Sequence, residues 1–316
     1  MTDTAPPARK GCFKRGCFGC LGVLGIGLVL VMVMALITLI RGKPQVVHES
    51  DQLTHQVPKG NWAEPDTGEP LIVGEAEAGR VVLDVSMATF SIIPAPEGTP
   101  IRLNANYNSG QYELEETFSP SGELGWTYRL SFGRRSIFDF IHIDPDNRLE
   151  LYLPAGTPIV LEGKVGVGES NLELGGLWID RVDLDVGIGD HEIDFDEPLV
   201  APMKSFDVRG SIGELTIGSL GNASPASVDV GHSIGEVSVS LAGAWQNDST
   251  VSVRSRIGEC RIRVPDHGIG LDWKGAIVML GEANTRRARE REEVPDGAPV
   301  VHLEASHSLG ELRLTK

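Results

Sequence analysis

Basic residues are scarce in this chain: 28 Lys and Arg stand against 44 Asp and Glu in 316 residues. The first 41 residues hold five of the basic and one of the acidic side chains, which leaves 23 against 43 for the remainder. A surface with that balance repels nucleic acid and anionic polymers unless cations bridge them, so DNA and RNA are not expected as partners. Cysteine is scarcer still. Cys12, Cys17 and Cys20 lie close together at C-x4-C-x2-C spacing, and Cys260 stands alone beyond them, so the outer part of the chain can form no intrachain disulfide. Three thiolates near a bilayer suit a metal site or acylation, but a fourth ligand is missing and plain reduced cytosolic thiols are the favoured reading. Catalytic motifs are absent too: no H-E-x-x-H, no G-x-S-x-G, and no phosphate-binding glycine loop followed by a helix. Neither a cofactor nor a metal is therefore expected, and the chain does not read as an enzyme. Aromatic residues are only 6%, and few long helical patterns appear.

One uncharged run is present. Leu21 to Ile40 is twenty residues without a charge, and as a helix it would span about 30 Å, the thickness of a bilayer's hydrocarbon. Arg9, Lys10, Lys14 and Arg15 precede it, which predicts a cytoplasmic N-terminus (1–20), a membrane helix (21–40) and an extracytoplasmic remainder. The run is too long for a typical signal-peptide core, and no A-x-A site precedes Arg41. Gly16, Gly19, Gly22 and Gly25 would give that helix a small-residue face suited to pairing with a second copy, although glycine is common in membrane helices anyway. The proline-containing stretch from 41 to 79 reads as a tether with one short strand at Leu71 to Val73.

What the chain has in abundance is glycine, 38 residues, and much of it recurs in one step. Gly168-Glu169, Gly189-Asp190, Gly213-Glu214, Gly235-Glu236, Gly258-Glu259 and Gly310-Glu311 are separated by 21, 24, 22, 23 and 52 residues. A period of this size signals stacked repeats. With the glycine as zero, position −7 reads Leu161, Val182, Phe206, Val228, Val251, Leu303, and position −5 is small or apolar throughout. Position +4 reads Leu172, Ile193, Ile217, Val239, Ile262, Leu314, and −1 reads Val167, Ile188, Ile212, Ile234, Ile257, Leu309. Position −6 is mostly acidic, so side chains alternate with the period of a strand. The prediction is an all-β solenoid over 80–316, with stacked two-strand coils of 21–24 residues, each a strand, a glycine turn and a strand, and all four rows in the core. Irregular turns fill 80–159, regular repeats 160–264, an insertion 265–299, and a last repeat at 300–314 closes the stack. Two segments, Pro96 to Leu103 and Pro154 to Leu161, share the pattern P-x-G-T-P-I-x-L, so one corner is expected twice.

The acids form the main candidate binding row: Glu169, Asp190, Glu214, Glu236, Glu259 and Glu311 would stack about 4.8 Å apart, where like charges repel by roughly 0.9 kcal/mol even in water. Something should offset that: backbone N–H groups of the glycine turns, exposure to solvent, divalent cations or a cationic partner. Arg286, Arg287, Arg289 and Arg291 in the charged segment before the last repeat are a second candidate, since binding often sits on loops of a rigid scaffold. His191, His232, His302 and His307 read as surface or corner residues without a third ligand or nucleophile in register, and Cys260 as a buried apolar residue.

The repeated Ile-Gly-Glu step, together with strand pairs ending in Leu-Pro-Ala-Gly-Thr, resembles the bacterial adhesin-type β-solenoids, which include toast-rack domains and the C-terminal domains of envelope-stress regulators. The resemblance covers about residues 80–316. It implies a non-enzymatic envelope protein and transfers no catalytic residue. A single membrane helix departs from the stress-regulator arrangement. The expectation is thus a membrane-anchored adhesion, interaction or sensing module, in contact with lipid through Leu21 to Ile40 and with an envelope protein or polysaccharide outside. The alternatives are a regulatory partner of a membrane signalling system and a carbohydrate-active enzyme on a β-helix.

Overall fold

The computed structural model describes residues 45–49, 55–58, 78–121, 125–135, 147–286 and 297–315. Leu21 to Ile40, the strand expected at Leu71 to Val73, and Arg287, Arg289 and Arg291 lie outside the described residues. Among the described residues no helix is long and apolar enough to cross a membrane.

Seven strands build the N-terminal end: β1 (Gln45–Glu49), β2 (Gly79–Met87), β3 (Thr89–Ala95), β4 (Arg102–Asn108), β5 (Tyr112–Ser121), β6 (Gly125–Arg134) and β7 (Arg148–Pro154). Seven longer ones follow: β8 (Pro158–Glu173), β9 (Trp178–Asp194), β10 (Ser205–Ile217), β11 (Ser227–Ser240), β12 (Ser249–Arg263), β13 (Gly270–Asn284) and β14 (Val300–Thr315). β8 to β12 stack in parallel, glycine on glycine and acid on acid, as with Gly213↔Gly235↔Gly258 and Glu214↔Glu236↔Glu259. Solenoid stacking is therefore the architecture of this part.

The glycine is a bend inside one continuous strand, not a turn between two. It also inverts the alternation. Positions −7, −5 and −3 point inward, then +2 and +4, so the corner consumes one residue and the phase flips. Val228, Val230, Val237 and Val239 of β11 are accordingly 0–3% exposed. The −1 row is outside: Val167, Ile188, Ile212, Ile234, Ile257 and Leu309 are 40–48% exposed, which corrects their assignment to the core. At the corner itself backbones meet closely. A Cβ on Gly235 would lie 1.9 Å from the carbonyl oxygen of Gly213, and the residue's φ of +126° is one that L side chains rarely adopt.

Two coils add to the six expected from the sequence. β2 and β3 together pair along β8 on either side of Ala88, whose carbonyl stacks under Gly168, so Val81, Leu83, Val85, Phe90 and Ile92 fill the inward rows of one more coil. β13 is the other. Its Leu280-Gly281-Glu282 is in register with Leu309-Gly310-Glu311, and β14 lies between β12 and β13. The last repeat in sequence is thus an internal coil, and β13, within the segment expected to be an insertion, stands at the end of the stack.

Beyond the β2–β3 coil the two halves part. β2 continues into β6 and antiparallel β5, whereas β3 continues into β7, then antiparallel β4 and β1. β1, together with buried His55 and Val57, ties part of the expected tether to this body. The wider space between the diverging sheets calls for larger side chains, and Tyr107, Tyr112, Trp126, Tyr128 and Phe132 supply them. Tyr112 stacks on Phe132 at 5.2 Å and Tyr107 meets the same ring edge-on at 5.5 Å. Gly98 and Gly156 both turn with positive φ, +74° and +80°, so the P-x-G-T-P corner is indeed used twice.

Candidate functional site

The acids fall one per coil because the coils are in register: Glu169, Asp190, Glu214, Glu236, Glu259, Glu311 and, at the far end, Glu282. Two residues further along each strand, position +3 also points outward, and its chemistry divides the row in two. On β12 and β14 it is arginine. Arg261 bonds Glu259 at 2.9 Å through two nitrogens and reaches across to Glu236, and Arg313 bonds Glu311 and lies 3.8 Å from Glu259. The Arg313 guanidinium holds the Glu311 carboxyl below its usual range. These exposed pairs offset like-charge repulsion in this half.

In the other half no described cationic residue answers the acids. Position +3 is Asn171, Glu192 and Thr216 on β8, β9 and β10, and among the described residues Glu169, Asp190, Glu192 and Glu214 have no ion-pair partner. Together with Thr89 and Ser91 of β3 they line an open groove of about 500 Å³. Ser170 and His191 lie at its floor with their side chains buried, Ser170 Oγ 2.8 Å from His191 Nδ1. At 4% and 3% exposure that pair is closed to a substrate, and no carboxylate meets His191 Nε2.

Of the four histidines expected at the surface or a corner, His191, His232 and His307 are buried. His232 Nε2 donates to the Gly213 carbonyl at 3.2 Å, and Gly210 leaves room for the ring, since a Cβ there would sit 2.4 Å from Nδ1. His232, Ser255 and His307 occupy the −3 position of three successive coils, all buried, in a polar file inside the apolar core. Burial pushes the pKa of His191 down despite the neighbouring Asp190, and does the same to His232 despite its bond to Gly213. His302 alone faces outward, 2.7 Å from Asp272. Cys260 is buried as expected, its thiol pushed up to about 12 by desolvation.

A third acidic feature lies beyond the row, where Glu173, Asp194 and Asp196 bring one oxygen each within 4.8 Å of one another. Burial raises the Glu173 pKa and the Asp194 charge raises that of Asp196. Backbone N–H groups of Gly175 and Asp196 donate to Glu173, so local turns already use these carboxylates. Of the arginine segment only Arg286 is described, and it is exposed. The row was legible as a period, whereas the groove was not. Thr89 and Ser91 come from a coil without a glycine, and Glu192 lies off the repeated step. Glu282 had a signal in plain view: Met279-Leu280-Gly281-Glu282 repeats the step 23 residues after Gly258.

No curated protein matches the chain. Among solved structures, a candidate cell adhesion protein from Clostridium sporogenes is similar at 10% identity, over 86% of this chain and 98% of that one, with a TM-score of 0.41. A candidate adhesin from Bacteroides fragilis follows at 9% identity, 86% and 98% coverage and a TM-score of 0.38, and one from Parabacteroides merdae at 10%, 87%, 98% and 0.28. Superpositions this loose carry no argument. The model of the N-terminal domain of toast_rack, DUF2154, by contrast, matches residues 48–218, more than half of the chain, from β1 through the coils that line the groove. The chain belongs to the toast-rack family.

Proposed function

We propose that this chain is a non-enzymatic interaction module of the adhesion kind in a bacterial envelope, anchored by Leu21 to Ile40, with its solenoid outside the cytoplasmic membrane and the groove on β8 to β10 turned toward partners. The observation that carries the reading is the linear placement of the carboxylates. One per coil on a single edge, Glu169, Asp190 and Glu214 do not face one another across a cleft as an acid–base pair must. A row of evenly spaced charges on a stiff scaffold presents the same contact several times over, which suits holding a partner. Membership of the toast-rack family agrees with that role.

The test uses the full chain in zwitterionic liposomes, applied to immobilised bacterial envelope fractions. The parent is expected to adhere, and E169Q/D190N/E214Q to retain less than about a fifth of the signal at low salt. Absence of adherence by the parent, or adherence indifferent to the three substitutions, refutes the proposal.

A further inference from the structure

The −1 row poses a question that folding alone does not answer. Val167, Ile188, Ile212, Ile234, Ile257, Leu309 and Leu280 stack in consecutive coils and are 40–67% exposed. Six intervals of about 4.8 Å make a ridge roughly 29 Å long, and its exposed area, on the order of 500 Å², is the size of a functional apolar patch. The neighbouring outward positions are mostly not apolar: +1 is acidic throughout, and −2 is Gly166, Gly187, Ser211, Ser233, Arg256 and Ser308, with Met279 the exception on β13. Exposure at this corner therefore tolerates polar residues, yet all seven side chains at −1 are aliphatic.

Charge is distributed unevenly along the ridge. Beside Ile257 and Leu309 the acids are already bound by Arg261 and Arg313, and Arg256 stands at −2. Beside Val167, Ile188 and Ile212 the unanswered Glu169, Asp190 and Glu214 run parallel to the ridge with only the glycine column between, Glu192 stands two residues further out, and the opposite flank is low because Gly166, Gly187 and Ser211 occupy it. An apolar strip with carboxylates along one side and open space along the other is thus complete on β8 to β10 and absent from β12 onward.

We propose that Val167, Ile188, Ile212 and Ile234, with Glu169, Asp190 and Glu214 beside the first three, form a docking ridge for a cationic amphipathic helix of a partner polypeptide; the proposal rests on the interaction reading above and names its partner. The turn-to-turn rise of an α-helix, about 5.4 Å, is close to the spacing between coils, so a helix laid along the ridge sets one apolar residue per turn against one aliphatic side chain per coil. Lys or Arg on the adjacent helix face meets Glu169, Asp190 and Glu214. About three turns cover the four coils. An anionic bilayer offers apolar depth but opposes this line of carboxylates, and a polysaccharide has no aliphatic row to give.

The test uses the full chain in detergent micelles and a labelled 14-residue helical peptide with Leu at i, i+3, i+7 and i+10 and Lys flanking them. Saturable binding is expected, at least tenfold weaker for I188T/I212T and for E169Q/D190N/E214Q, and absent for the same peptide with Glu in place of Lys. Threonine keeps the β-branched shape, and both variants are expected to melt close to the parent. Binding unchanged in I188T/I212T overturns the ridge, as does a melting point that collapses in I188T/I212T while the peptide still binds. Equal competition by anionic vesicles, or self-association that saturates the ridge before peptide is added, overturns the choice of partner. Adherence to envelope fractions that survives in I188T/I212T leaves the interaction module standing and removes this surface from it, whereas a parent that adheres to nothing removes the module itself.

Discussion

Gly235→Ala and Gly275→Ala isolate the packing that holds the coils together. Both glycines have nearly the same backbone, φ of +126° and +122°, so an alanine costs about 1–2 kcal/mol at either from the dihedral alone. Their surroundings differ. A methyl at 235 would lie 1.9 Å from the Gly213 carbonyl oxygen, whereas one at 275 meets nothing within 4 Å. A carbon and a carbonyl oxygen need well over 3 Å, so the coils at 235 must part by more than 1 Å, which breaks two or three ladder hydrogen bonds at about 1 kcal/mol each. The expected losses are about 4 kcal/mol for Gly235→Ala and about 1–2 kcal/mol for Gly275→Ala. Urea titration of the full chain in detergent, followed by far-UV circular dichroism, measures both through the shift of midpoint at constant slope. Losses within 0.5 kcal/mol of each other would show that the glycine column is there for its dihedral and not for close stacking.

Ile234→Thr is expected to cost under about 1 kcal/mol because the side chain is 44% exposed, whereas Val230→Ala, wholly buried four residues away, should cost about 2 kcal/mol by the same titration. Acid should loosen the solenoid early. His191 and His232 have pKa values lowered from 6.5, so the unfolded chain binds more protons and stability, complete above pH 6.5, falls as the pH drops through the window below it. The slope is up to about 1.4 kcal/mol per pH unit for each histidine, and H191N/H232N should flatten it; melting curves at pH 7.5 and 5.5 that move equally in parent and variant would contradict the argument. In a C12S/C17S/C20S background, Cys260 should resist alkylation at pH 8 until urea unfolds the chain, since its thiol is buried and pushed up to about 12. Rapid labelling in buffer would place that coil's interior within reach of solvent.

Alternation and glycine spacing were enough to read the solenoid and its −7, −5 and +4 rows, because inward positions far from the corner obey a period of two. The −1 row misled for a physical reason: the corner uses one residue, so counting by twos through it sends Ile188 and Ile212 inside when they are outside. β13 was hidden by a bulge at Lys274, which shifts the register so that the −7 place falls on a lysine while Trp273 takes the inward role. The β2–β3 coil was hidden because Ala88 stands at its corner under Gly168, so the repeated glycine step is missing there. The acid row was legible as a column, but its division into a neutralised and an open half depends on Arg261 and Arg313 against Asn171, Glu192 and Thr216, two places beyond the repeated step. Nothing local in a histidine reveals that it faces a neighbouring coil instead of water.

The exchange of β13 and β14 bears on how the chain can wind itself up. Because β14 comes later yet sits nearer the centre, each new coil cannot simply settle on the one before it. Either β13 waits unpaired until β14 has reached β12, or it pairs with β14 before the two settle on β12, or it first occupies the place on β12 and is then evicted. Gly281 and Glu282 would match Gly258 and Glu259 as readily as Gly310 and Glu311 do, so the two occupants compete for one template. Assembly of this end is therefore a choice between near-identical guests, decided by the fit of the inward side chains: Leu303, Ala305 and Leu312 are 0–1% exposed where they lie, whereas of their counterparts on β13 Trp273 and Ala276 are only partly buried and Ala283 is exposed.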